Sequence, residues 1–306
     1  MRFGPALALP ALFGCVAPRE IEPPPPPAPP PVAAPAPIPP PIPPTPFRWS
    51  GAPTQGGLLF GDAPDGAVSV VLRAPGAADV PAALADGRFL AGFDRDAPPA
   101  AELVATLADG REVRRPLAVA PRAWRIERVD APWRAGRTSA EFEAARPGEL
   151  VRIAAARAVE TGATGWREPF RWPATGRVSG LFGAQRVYQG KPGSYHSGVD
   201  VALPTGAPVI APASGVVVLA ADRPFTLEGN LLIVDHGGGL SSAFLHLSRI
   251  HVREGERVAP GQLIGAVGAT GRATGPHLHW GLRWREARLD PLLVAGPMPA
   301  RRNDSH

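Results

Sequence analysis

The chain has 306 residues and 44% hydrophobic content, enough for two domains with real cores. Its formal charge is +5, and every basic residue except Lys191 is arginine, a balance that favours anionic surfaces in general. No basic run interleaved with aromatics is present, which excludes the usual nucleic-acid signature, and the heavy Ala, Arg, Gly and Pro usage reads as genome composition.

Residues 1–14 have one early positive charge and a short apolar run, the outline of a secretory signal too short to span a membrane as a helix. The sole cysteine follows Leu12-Phe13-Gly14, which resembles a bacterial lipoprotein cleavage box and implies a lipidated Cys15. An unpaired cysteine in an exported chain otherwise lacks an explanation. Sixteen of residues 23–46 are proline, so 15–46 reads as a lipidated cysteine followed by a polyproline spacer reaching up to roughly 75 Å.

From 47 to 128, short apolar runs (GGLLF, AVSVVL, RFLAGF, ELVATL, REVRRPLAV) alternate with the hairpin signals Asp65-Gly66, Asp86-Gly87 and Asp109-Gly110. This predicts a small antiparallel β-sandwich, a spacer or docking module without chemistry. Residues 129–167 form a helical connector. Thr138 and Glu141 make a capping box, Pro147-Gly148 interrupts, and 149–160 forms the helix.

Residues 168–295 alternate short apolar runs with Gly, Pro and Asp turns, which predicts an almost all-β domain, followed by a polar tail at 296–306. Gly265, Gly268 and Gly271 lack the Gly-Lys-Ser/Thr of a phosphate loop and precede a strand, so they form a tight loop instead. In this domain HSGVD, FLHL and GPHLHW supply His196, Asp200, His246, His277 and His279. His277 and His279 share a strand face, with Cα atoms roughly 6–7 Å apart. His196 and Asp200 would be about 13 Å apart on a straight strand, so a bend at Ser197-Gly198 is expected, glycine tolerating the required angles. Two histidines and a carboxylate suit a catalytic zinc, which keeps one position open for water. No HExxH helix offers a glutamate base, so the spare histidines are the candidates. A lone strand histidine is more often an ordinary half-buried residue; His236 is expected in a turn and His251 on a solvated strand face, both away from the metal, and His306 has no role.

These three words, in this order and with GATGRATG before the last, resemble the lysostaphin-type (LytM-like) zinc endopeptidases that cut peptidoglycan cross-links. The resemblance covers roughly 170–295. It implies an all-β peptidase domain of the duplicated-hybrid-motif type, one Zn²⁺ on His196, Asp200 and His279, and His246 and His277 as catalytic groups beside the scissile carbonyl. Phe244 stands where the family commonly has tyrosine, which bears on substrate contacts. Residues 184–195 would be a wall loop, with Arg186, Tyr188 and Tyr195 touching substrate.

Three readings follow: a zinc endopeptidase acting on peptidoglycan, a catalytically inactive LytM-like module that activates another wall hydrolase, or a structural envelope lipoprotein. The five intact metal-type residues favour the first. The tethered anchor suggests a two-membrane bacterium and the D-Ala to diaminopimelate cross-link as substrate. Val16, where an aspartate would favour inner-membrane retention, points to a periplasmic-side outer-membrane lipoprotein. A monomer is expected.

Overall fold

Alternating apolar and polar residues between 48 and 118 build two four-stranded antiparallel sheets, as expected of a sandwich. One runs Arg48–Ser50, Leu58–Asp62, Arg88–Gly92, Ala83–Ala85; the other runs Val80–Pro81, Ala67–Arg73, Ala100–Leu107, Glu112–Ala118. Leu59, Val70, Phe89, Leu103 and Leu117 from the two sheets are buried in one core. This is a computed structural model that describes residues 45–130 and 140–299. Cys15, the signal segment, the proline tract to residue 44, Thr138 and residues 300–306 lie outside the described residues.

Asp86 and Gly87, at φ 50° and 73°, join Ala83–Ala85 to Arg88–Gly92 in the two-residue hairpin that such dipeptides favour. Asp109-Gly110 likewise closes a hairpin. Asp65-Gly66 does not. It joins Leu58–Asp62 to Ala67–Arg73, which belong to different sheets, so the same turn chemistry serves a crossover.

The helix Ala140–Arg157 runs straight through Pro147-Gly148, contrary to the expected interruption. An internal proline costs a helix about 3 kcal/mol, and contacts on both sides of it compensate. Arg146 bridges to Glu228 at 2.6 Å and to Glu149 at 3.1 Å, and Glu149 accepts from Thr226 Oγ1 at 2.7 Å. Further along, Ile153 and Ala156 are buried with Phe225, Leu219, Leu231 and Ile233. Tertiary anchoring overrides local propensity here.

The later domain is built on one sheet, ordered Arg177–Gly180, Val199–Ala202, His277–Trp284, Leu240–Leu247, Asn230–Gly237, Gly215–Ala220, Arg257–Val258, with Ala287–Leu289 paired to His277–Trp284. Its neighbouring strands are all antiparallel. Leu278, Trp280, Leu282 and Trp284 are buried, so one face of His277–Trp284 is the core and the other carries His277, His279, Gly281 and Arg283. A smaller sheet of Pro208–Ile210, Leu263–Ala266 and Arg249–Ile250 lies beside it in the chain's common core.

That core is continuous with the sandwich. Gly92 lies so close to Leu289 and Trp284 that a Cβ would sit 2.9 Å from Leu289 Cδ2. Buried Asp290 caps the helix Pro291–Ala295 and pairs with Arg122 at 2.8 Å. Ile126–Val129 pairs in parallel with Gln185–Tyr188, which in turn forms a hairpin with Lys191–Tyr195. The expected wall loop at 184–195 is therefore a β-ribbon, with Gln189 and Gly190 at positive φ in its turn. Among the described residues no helix is long and apolar enough to cross a membrane.

Candidate metal centre

Strand register assembles the site. Asp200 pairs with His279, and His279 pairs on its other side with Leu245, so the aspartate and histidine are cross-strand neighbours. His196 arrives from the bend before Val199. Gly198 is that bend, yet its φ is not positive. Glycine is required there for close approach, because a Cβ would stand 2.4 Å from Trp280 O and 2.8 Å from His279 Nε2. Gly180 does the same for the carboxylate, with Asp200 Oδ2 2.4 Å from the place of its Cβ.

His196 Nε2, Asp200 Oδ1 and His279 Nδ1 form a nearly equilateral triangle with edges of 2.9, 3.0 and 3.0 Å. A tetrahedral ion held at about 2.0 Å spaces its ligands about 3.3 Å apart, so this triangle approximates one face of such a polyhedron. His196 Nδ1 lies 3.0 Å from the Leu181 carbonyl, which can only accept, so Nδ1 carries a proton. In neutral His196 the Nε2 lone pair then faces a carboxylate oxygen. Two acceptors in contact need a proton or a cation between them, and the donor set fits zinc.

The same tautomer logic covers the other two rings. His246 Nδ1 donates to Thr270 O at 2.8 Å, and His277 Nδ1 donates to Gly275 O at 2.8 Å. Both keep Nε2 as the free basic nitrogen. Their rings are 4.8 Å apart, and His277 Nε2 is 3.8 Å from Asp200 Oδ1. His246 sits at φ 63° in a β-bulge, a left-handed conformation costly for a side chain and concentrated at functional sites.

Electrostatics follow from this packing. Burial pushes the Asp200 carboxyl up, but hydrogen bonds with His196 and His279 outweigh it and hold the group well below the carboxylate range. Burial pushes His196 down, and its bond to Asp200 more than reverses this. Burial lowers both His246 and His279, which favours neutral rings.

A cleft of about 800 Å³ opens beside His196 and Asp200, and Arg186, Tyr188 and Tyr195 line it. Arg186 is held by Glu127 at 2.8 Å, and Tyr195 is packed between Arg95 and Arg288. Phe244 is fully buried and lines no part of this cleft, so a missing hydroxyl there removes no contact from it. His236 is in the strand Asn230–Gly237, not a turn, with both ring nitrogens bonded, to Ser214 O and Ser242 Oγ. His251 is exposed, as expected, but lies just past the strand Arg249–Ile250 and not on a strand face.

Sequence reasoning missed the carbonyls of Leu181, Thr270 and Gly275, because any residue supplies a carbonyl. A glycine signal existed for one of them. Gly229 and Gly271, at φ 67° and 70°, interlock so closely that a Cβ on Gly271 would meet Gly229 N at 2.4 Å, which fixes Thr270.

The open face of the sheet thus gathers two histidines, an aspartate and two further imidazoles, the set that the lysostaphin-type resemblance implies. Residues 194–291 match Peptidase family M23, and this stretch of the chain is a domain of that kind. The chain is similar to the peptidoglycan DD-endopeptidase ShyA of Vibrio cholerae, 39% identical over 40% of this chain and 28% of that protein. It is also similar to the DD-carboxypeptidase/endopeptidase Mpg of Neisseria meningitidis, 40% identical over 34% of this chain and 24% of that one. The matched region thus spans about a quarter of these relatives' length. A crystal structure of an M23 peptidase from Pseudomonas aeruginosa superposes with a TM-score of 0.60 at 29% identity, covering 80% of this chain and 95% of that one. A likeness that broad extends past the M23 region into the sandwich.

Proposed function

We propose that this protein is a zinc-dependent endopeptidase that hydrolyses peptide cross-links of peptidoglycan. The observation that carries the reading is the 2.9–3.0 Å triangle of His196 Nε2, Asp200 Oδ1 and His279 Nδ1, with two further imidazoles on the same side. Zinc held by those three residues would supply Lewis acidity and a water of lowered pKa. His246 and His277, both with Nε2 free and Nδ1 tied to a carbonyl, are arranged to take a proton from the attacking water and return it to the leaving amine. In protonated form either ring stabilises the developing oxyanion.

The substrate assignment draws on the similarity to ShyA and Mpg and on the open cleft beside the donors. We assign the D-Ala to diaminopimelate link as the bond cut, with the chain acting as a monomer from the periplasmic side of the outer membrane, anchored through Cys15. The sandwich would space or dock the peptidase. Intact donors weigh against an inactive activator. Metal analysis of purified protein, joined to mass spectrometry of fragments released from sacculi, tests both parts. Stoichiometric zinc and cross-link cleavage are expected. Metal-free, inert protein would favour the binding-module reading.

A further inference from the structure

The open face of the sheet continues from His279 beneath the helix Ala140–Arg157. Leu245 pairs with His279, Ile233 pairs with Ala243, and the buried side of the helix rests on Leu231 and Ile233. Between helix and sheet lies a cavity of about 440 Å³ whose wall includes His279, Ser197 and Gly281, so it adjoins the metal centre. Its charge is unbalanced: Arg146, Arg157, Arg283 and Arg288 line it against one carboxylate, Glu228.

Arg146 is already paired with Glu228 and Glu149. Arg283 pairs with Glu286, whose carboxylate is almost wholly in solvent. Among the described residues, Arg157 and Arg288 have no carboxylate within salt-bridge distance; Arg288 lies over the Tyr195 ring at 5.3 Å. Both side chains are exposed, and Arg157 remains cationic at neutral pH. Like charges gathered without matching carboxylates are stabilised by an anion, and planar guanidinium groups suit a carboxylate in particular.

We propose that this cavity is a carboxylate-binding subsite in which Arg157 and Arg288, assisted by Arg283, receive a free carboxylate of the peptide substrate. The peptide nature of the ligand rests on the endopeptidase reading. Arg283 follows His279 by four residues, about 13 Å along the strand, a span that three to four extended residues cover. The carboxylate therefore belongs to a residue within that distance of the scissile bond. A cross-link through a diamino acid carries such a group, whereas an all-glycine bridge does not.

The test is calorimetry on the full, zinc-loaded chain with a synthetic product peptide containing a diamino acid with its carboxylate free, and the same peptide with that group amidated. The parent is expected to bind the acid at least tenfold more tightly. Arg157→Gln/Arg288→Gln should reduce the acid to the level of the amide and leave amide binding unchanged. Arg157→Gln alone, at the cavity mouth, gives the same comparison should the double variant not fold. Equal affinities in the parent, or equal losses for both peptides, would overturn the proposal. Sacculus digestion is read separately: selective binding without digestion sinks the endopeptidase reading and leaves the subsite standing.

Discussion

His246 gives its Nδ1 proton to the Thr270 carbonyl across 2.8 Å, from a residue whose own backbone is left-handed. A strained strand residue and a loop carbonyl thus hold one basic nitrogen near the candidate metal donors, without His246 being a donor itself. The metal and the proton transfer should therefore be separable. His279→Ala is expected to lose both zinc and wall digestion. His246→Ala should keep stoichiometric zinc and lose about 10²–10⁴-fold in rate. A purified His246→Ala that digests sacculi at the parent rate refutes the role given to it.

Two glycines make the same separation from the backbone side. Gly198→Ala would press a methyl group against His279 Nε2 and Trp280 O, so zinc affinity should fall tenfold or more. Gly271→Ala, at φ 70° and 2.4 Å from Gly229 N, would shift Thr270 instead. Its expected result is normal zinc content with a reduced kcat. Competition with a chromophoric chelator reads the first, and steady-state kinetics the second.

Acid stability should carry the mark of His236. Burial lowers its pKa from 6.5 to about 4. The folded protein then binds fewer protons than the unfolded chain between those values. Its contribution is fully present above about pH 6.5, declines with acid, and is lost by about pH 4, a change of roughly 3 kcal/mol. Urea titrations across this range should show a shallower decline for His236→Gln. An unchanged slope would place the acid sensitivity elsewhere.

Arg146→Ala should loosen the helix. It strips Glu228 and Glu149 of their cation in a mostly buried setting, at a cost of about 1–3 kcal/mol. Hydrogen exchange should quicken across 140–157 while the strand His277–Trp284 keeps its protection. Uniform exchange changes, or none, would show that the bridge does not hold the helix.

Much of this site is local in origin. HLH places two rings on one strand face by the two-residue period, and HSGVD needs a bend before the aspartate if His196 and Asp200 are to share one ion. Other features were legible only in part. Asp65-Gly66 has the same turn chemistry as Asp86-Gly87, yet one changes sheets and the other closes a hairpin, since a turn does not record which strand its chain will pair with. Pro147 predicts a break that Glu228 and Thr226 override from a distance, through Arg146 and Glu149.

The sequence by itself determined the identities of the donors, the alternation that exposes them and the glycines that admit them, because these depend on side-chain chemistry and on backbone geometry within a few residues. The tertiary structure decided that Val199–Ala202 lies beside His277–Trp284, that three carbonyls orient three rings, and that four arginines, two of them without a carboxylate partner among the described residues, line one cavity beside the candidate metal centre. Pairing and enclosure join residues far apart in the chain, and carbonyls are common to every residue, so no local pattern encodes them.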